Sequence, residues 1–476
     1  ADDLEAWGDG ALEAIAVAGL EVPPPNNTDY NGLLAAFNEF PAFPRIDAGS
    51  PTIATRGQSQ PVWTYLLPDT TETRVGTAGV YVDDGALQTA AAALGAVRDA
   101  VSEDLVFPEF QVPGAPEGTR FDQFPGAPTV TDGSIVAFKG NFTIDEVGST
   151  GVFYRDFAAD GGLAPVQLIA QAGEPIPGGG GILFESTAPP SAANGVLAFI
   201  GSDIEEAPTA GGVYVAPLEP SPPLEVVMAI GDPVPGEAPG PEATFKRFGE
   251  GVSLSSSARH VAFWGTWGSE TVTRTLLCPT DGQPELIAYC NELYPEGYTV
   301  EIPVHQGVFV CDRQTGRCVR PASTEASGFE DFLYWVFSGR PPGTGGGEEE
   351  EAEEPARWRS SAFVALSGGT GADWQLACKA RRSGKDGIYV RRGFAQGYLS
   401  LVTVLETGQP AEPLDPEAPA GSLITTLGIE RDGFRNGWLA VNVGMLLEAE
   451  TEEETEGWAG VYVTRVYDPE ESPAPR

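Results

Sequence analysis

Two histidines, five cysteines and 68 acidic residues are the raw material for chemistry in this 476-residue chain. With so few imidazoles, histidine-based triads and metal centres have little to be built from. His260 opens the apolar stretch His260-Val261-Ala262-Phe263-Trp264, and His305 precedes Gln306-Gly307-Val308-Phe309, so both read as packed strand residues. No Gly-x-Ser-x-Gly elbow occurs. Ser367-Gly368-Gly369-Thr370-Gly371 lacks the lysine of a phosphate loop and reads as a hairpin turn. Asp145, Glu146, Asp203, Glu205 and Glu206 sit in acidic loops. Calcium is the one cofactor such oxygen ligands would suit, but no D-x-[DN]-x-[DN]-G loop is present, and solvation explains such loops equally well. Cys311 and Cys318 flank a six-residue turn, and Cys278 and Cys290 flank another turn-rich stretch. Both spacings suit disulfides beside hairpins in an oxidising compartment. Cys378 is left over and reads as a buried small apolar residue. Trp264 and Trp267 could stack on sugar rings, although tryptophan more often packs in a core.

Charge narrows the classes further. Lys plus Arg is 27 against 68 for Asp plus Glu, a formal net charge of −41. Such a polyanion repels nucleic acid, which requires clustered cations, and anionic lipid surfaces as well. No apolar run reaches the roughly 18 residues of a membrane-spanning helix. The start at Ala1-Asp2-Asp3 resembles a mature end left by signal cleavage. The expected location is therefore the extracellular surface, or the periplasm.

The elements that must position these residues are legible as repeats, aided by 60 glycines and 42 prolines that punctuate short strands. A Gly-aliphatic-aromatic tripeptide recurs at Gly79-Val80-Tyr81, Gly151-Val152-Phe153, Gly212-Val213-Tyr214, Gly307-Val308-Phe309, Gly387-Ile388-Tyr389 and Gly460-Val461-Tyr462. A short apolar strand precedes each, as in Val136-Ala137-Phe138, and a paired apolar signature lies further upstream, as in Phe121 with Phe124. A fourth element follows: Val166, Ile169, Gly173 and Ile176 in one unit, Leu224, Val227, Gly231 and Val234 in the next. Six four-strand units predict an all-β fold, a six-bladed propeller with antiparallel blades. The blades are assigned to 36–117, 118–180, 181–240, 241–324 with a cysteine-containing insertion, 325–420 with an acidic insertion at 341–356, and 421–476. The sixth unit has no fourth strand after Tyr462. Leu12, Ile15, Gly19 and Val22 carry that pattern at the other end of the chain. Residues 1–25 are thus expected to close the last blade, or to be donated to a neighbour. An amphipathic helix over 3–18 is the competing reading.

The run from Gly133 to Gly140 with its Ala-Phe core, then Gly-Val-Tyr and Gly231-Asp232-Pro233-Val234-Pro235-Gly236, resembles a family of secreted bacterial tandem-repeat proteins bearing a variable C-terminal sorting anchor. That resemblance implies an exported surface protein and nothing catalytic. This chain departs from it by lacking an apolar tail with a basic end. The first strand of each blade should line the central channel, and these are apolar, small or proline-rich, as in Phe124-Pro125-Gly126-Ala127-Pro128. Paired carboxylates could hydrolyse glycosides there, but 68 acids single out no pair. The expectation is therefore a protein that is not an enzyme: a structural or adhesive component that assembles with itself or with other surface molecules, including by donation of the N-terminal strand. The alternative is a glycan-binding propeller using Trp264 and Trp267, and behind it a polysaccharide-active hydrolase or lyase.

Overall fold

The computed structural model describes residues 15–27, 34–60, 63–66, 72–93, 108–145, 147–159, 164–205, 207–280, 284–338, 357–395, 397–447 and 456–466. Six antiparallel sheets follow one another around a central axis as a six-bladed propeller. Blade 2 shows the plan. An inner strand in two pieces, Phe121–Gln123 and Thr129–Thr131, pairs with Ile135–Ile144, which pairs with Val147–Asp156, which pairs with Gln167–Gln171 at the rim. Blade 4 is enlarged. Its second and third strands, His260–Leu276 and Tyr298–Asp312, run past the blade and carry the helix Pro284–Leu293 between them.

The repeated glycines have a steric cause. A Cβ on Gly140 would lie 2.6 Å from the ring of Phe121, and one on Gly151 would lie 2.7 Å from the ring of Phe153. Those two rings meet edge-on with centroids 5.1 Å apart. The inner-strand aromatic thus lies flat on the second strand and wedges against the third-strand aromatic. Phe37 with Tyr81, Phe184 with Tyr214 and Phe245 with Phe309 repeat the contact at 4.9, 5.3 and 4.8 Å. The apolar residue between glycine and aromatic faces the neighbouring blade instead. Val80, Val152, Val213, Val308 and Ile388 are each fully buried there, and this burial of aliphatic area is what holds adjacent blades together.

Blade 6 breaks the pattern. Its described strands are Leu423–Gly428 with Phe434–Arg435, Trp438–Leu447 and Glu456–Arg465. In the last of these Val461 is 59% exposed and Val463 61%. Among the described residues no fourth strand covers them.

The closing-strand expectation falls partly outside the described residues, which exclude Leu12. Ile15 lies in a bend rather than a strand. Gly19 and Val22, however, stand where a fourth strand hands over to the next blade. Gly19 N–H donates to Phe37 O at 2.7 Å and Val22 N–H to Ala35 O at 2.9 Å. Gly173 and Ile176, Gly231 and Val234, and Gly408 and Ala411 make the same pair of bonds before blades 3, 4 and 6. All four glycines have φ between +80° and +91°, a region open to glycine and strained for other residues. The acidic insertion at 341–356 lies outside the described residues.

Candidate functional site

Prolines interrupt the inner strands at 125–128 and 189–190. Lacking an N–H, they stop the ladder and leave the Ala127 and Pro190 carbonyls without ladder partners. Arg431 of blade 6 takes both. Its Nε donates to Pro190 O at 2.7 Å and its Nη2 to Ala127 O. Its own carbonyl accepts from Ser253 Oγ of blade 4. Beside it, Asp432 accepts from Ser191 Oγ of blade 3 at 2.6 Å and from Arg435 Nη2 at 2.5 Å. Arg435 Nη1 reaches Leu254 O and Leu366 O of blades 4 and 5 at 2.8 and 2.9 Å. Glu430 pairs with Arg45 of blade 1 at 2.5 Å.

Residues 430–435 therefore tie all six blades together and plug the channel. Burial, reinforced by Arg45, pulls the Arg431 guanidinium down to about 10. Burial alone would raise the Asp432 carboxyl, but Arg435, Arg431 and Arg45 outweigh it and hold the group below the ordinary carboxylate range.

The plug leaves a cavity at each end. One, of about 260 Å³, is lined by Asp47, Asp132, Asn194, Arg435 and Asn436 among others. Its polar groups are occupied with blade-to-blade bonds: Gly133 N–H to Asp47 at 3.0 Å, Gly195 N–H to Asp132 at 2.6 Å, and Asn436 Nδ2 to Ala48 O at 3.4 Å. The last of these crosses from blade 6 to blade 1, so the inner ring is closed.

The other cavity, of about 560 Å³, is the channel mouth. Phe40, Phe43 and Phe363 with Pro41 and Pro44 form its apolar rim, and Glu250, Glu430 and Arg431 supply its polar groups. Phe43 is 44% exposed. Among the described residues no hydrogen bond or ion pair engages the Glu250 carboxylate. The loops between second and third strands open on this face, because Phe142, near the end of one such strand, pairs with Phe121 at the start of the inner strand. An aromatic rim around two carboxylates and a guanidinium can stack on a ring, accept hydroxyl hydrogen bonds and donate to a sugar oxygen.

The sequence candidates lie elsewhere. Trp264 and Trp267 are 2% and 3% exposed, so neither offers a free face to a sugar. Trp267 is enclosed by Phe309, His305 and the Arg320 guanidinium. Glu146 and Glu206 lie outside the described residues. Asp203 accepts from Thr209 N–H and Oγ1–H and from Ala210 N–H, which makes it the brace of its own loop. Asp145 is an exposed turn residue and Glu205 lines a small cavity beside the mouth. No group of three metal-ligating side chains converges among the described residues. Cys278–Cys290 and Cys311–Cys318 are joined as disulfides. Cys378 is buried, and burial pushes its thiol up to about 12. What sequence reasoning missed is the plug. Its signal was a single charged run, Glu430-Arg431-Asp432 with Arg435, at a channel position that other units fill with small residues and prolines.

No family model and no curated protein matches the chain. Solved structures do. The β-propeller domain of the Trilobed protease from Pyrococcus furiosus, described as having an open velcro topology, aligns over 74% of this chain and 84% of its own at 8% identity and TM-score 0.28. A glycosyl hydrolase from Bacteroides ovatus aligns over 83% and 95% at 12% identity and TM-score 0.28. A prolyl endopeptidase aligns over 96% of this chain and 60% of its own at 10% identity and TM-score 0.30. These neighbours are described as a protease's propeller domain, a glycosyl hydrolase and a prolyl endopeptidase, which contradicts the expectation of a non-enzyme without assigning this chain an activity. The likeness itself is one of fold, so any chemistry rests on this chain's own residues.

Proposed function

We propose that the chain is an exported glycan-recognising propeller whose ligand enters the channel mouth, with Glu250 and Glu430 as the carboxylate pair available for acid–base work on it. The observation that carries this reading is the mouth itself: a recess of about 560 Å³ with an aromatic and proline rim, a Glu250 carboxylate that no described residue hydrogen-bonds or ion-pairs, and a guanidinium at its floor. Pyranose rings present apolar C–H faces to aromatics and hydroxyls to carboxylates. Glu430 is ion-paired with Arg45 whereas no described residue bonds Glu250, so the two carboxylates stand in different surroundings, as a pair with divided roles requires. The two disulfides and the absence, among the described residues, of a helix long and apolar enough to cross a membrane support export.

The test is a glycan array followed by turnover of each bound polysaccharide. Binding lost on Phe43→Ala supports the site, and hydrolysis abolished by Glu250→Gln with binding kept supports catalysis. Binding unaffected by both substitutions refutes the reading.

A second reading, a structural or adhesive subunit that assembles by strand donation, is favoured by the exposed edge at Val461 and Val463. A second copy's N-terminal segment would add a strand there. Light scattering on the full chain and on a variant lacking residues 1–18 tests it. Large assemblies that vanish with the segment support donation, and a monomer in both cases refutes it.

A further inference from the structure

Beside the mouth, and sharing Glu250 and Ala362 with it, lies a second recess of about 60 Å³ lined by blades 2, 3, 4 and 5. Lys139, Arg247, Trp264 and Glu205 help to line it. Lys139 and Trp264 occupy equivalent places, each immediately before the packing glycine of a second strand, Gly140 or Gly265. Each carries a donor for which the described residues supply no acceptor. Trp264 is 2% exposed and its Nε1–H has no acceptor. The Lys139 ammonium has no hydrogen bond or ion pair among the described residues, and burial pulls it below the ordinary lysine range. Arg357 and Arg359 act on Lys139 with the same sign, while Glu250 and Glu205 partly compensate.

Buried donors without acceptors cost stability, and a chain at −41 has few cations to spare. Two cations line the recess against two carboxylates, so its hydrogen-bond donors, not its net charge, would draw an anion. The volume suits one small planar group, about that of two water molecules at roughly 30 Å³ each. Long-range repulsion from the rest of the surface is screened beyond about 8 Å at physiological salt, so the local donors decide.

We propose that this recess is a subsite for one carboxylate of the glycan, so that the preferred ligand carries a uronic acid residue. Lys139 and Arg247 would bind the carboxylate, with Trp264 forming part of the recess wall. The subsite rests on the glycan reading of the mouth.

Calorimetric titration at 0.15 M salt compares a trisaccharide ended by glucuronic acid with the same trisaccharide ended by glucose and with its glucose-6-sulfate form. The glucuronate form is expected to bind at least about tenfold more tightly than the glucose form, in line with a charge-assisted hydrogen bond. Lys139→Met and Arg247→Gln are each expected to bring the two within about threefold while leaving glucose-form affinity unchanged. Lys139→Met is also expected to fold with no loss in melting temperature, because it removes an unpaired, poorly hydrated charge. Equal wild-type affinities for the glucuronate and glucose forms, or a preference that survives both substitutions, overturn the subsite while leaving the mouth reading standing. Tightest binding of the sulfate form overturns the carboxylate assignment. Binding of none of the three overturns the mouth reading itself.

Discussion

Replacing Gly140 by alanine puts the repeat's packing rule to a quantitative test. The new methyl would stand 2.6 and 2.7 Å from two ring atoms of Phe121 and 3.2 Å from Phe153, against an optimum near 3.5–4.0 Å for carbon pairs. Phe121 must retreat by about 1 Å to restore that separation. It is fully buried, with Phe124 at 5.2 Å and Phe153 at 5.1 Å between centroids, so the ring has nowhere to go. Overpacking of this kind costs about 1–3 kcal/mol. The lower backbone entropy of alanine returns about 0.5–1 kcal/mol. A net loss of about 1 kcal/mol is expected. Gly148→Ala is the control in the same hairpin, because nothing lies within 4 Å of its Cβ, and it should be neutral or stabilising by under about 1 kcal/mol. At about 2.1 cal/mol/K per residue over 476 residues, the unfolding entropy is about 1 kcal/mol/K, so the two variants should melt about 1–2 °C apart. Scanning calorimetry of both under identical conditions measures this. Coincident melting temperatures would refute the steric explanation of the glycine repeats.

Other consequences are as specific. Removing residues 1–18 tests the expected closing strand: if that stretch covers Val461 and Val463, which no described strand covers, the melting temperature falls and proteolysis of blade 6 speeds up while the inner ring stays intact. Mass spectrometry of limited-digestion products locates the first cuts, and first cuts outside blade 6 would contradict the assignment. Burial alone would raise the Asp203 carboxyl, but hydrogen bonds from Thr209 and Ala210 outweigh it and hold the group below the ordinary aspartate value of about 3.9. Its contribution is therefore present above that pH and lost as pH falls through the folded-state value. The melting-temperature gap between wild type and Asp203→Asn should accordingly narrow from pH 6 to pH 3, and a constant gap would show that the charge is idle. Cys378, buried with its thiol raised to about 12, is expected to resist thiol reagents at pH 8 in the native protein and to react fully in denaturant.

The fold was largely legible because its signals are local. Gly151-Val152-Phe153 encodes a packing glycine, a blade-to-blade valine and a ring within three residues, and such a pattern survives loops of any length. The handover at Gly19 and Val22 was legible for the same reason. Ile15 was not, because the strand expected there depends on a distant partner, Glu456–Arg465. The site was less legible still. Arg431 matters through carbonyls in two other blades, Ala127 and Pro190, and no property of residues 430–435 announces acceptors about 240 to 300 residues away. Trp264 and Trp267 misled for a related reason. Residue type suggested stacking on sugars, whereas their positions in a second strand turn them into the packed interior. Lys139 escaped notice because nothing in Phe138-Lys139-Gly140 signals that its ammonium forms no ion pair among the described residues.

The central claim is that the channel mouth holds the ligand. A crystal structure of the protein grown with the glucuronate-ended trisaccharide tests it most directly. Sugar density stacked on Phe43 with a hydroxyl on Glu250 is the predicted result. Density confined to the outer rim, or at the opposite cavity beside Asp132 and Asn194, would contradict it.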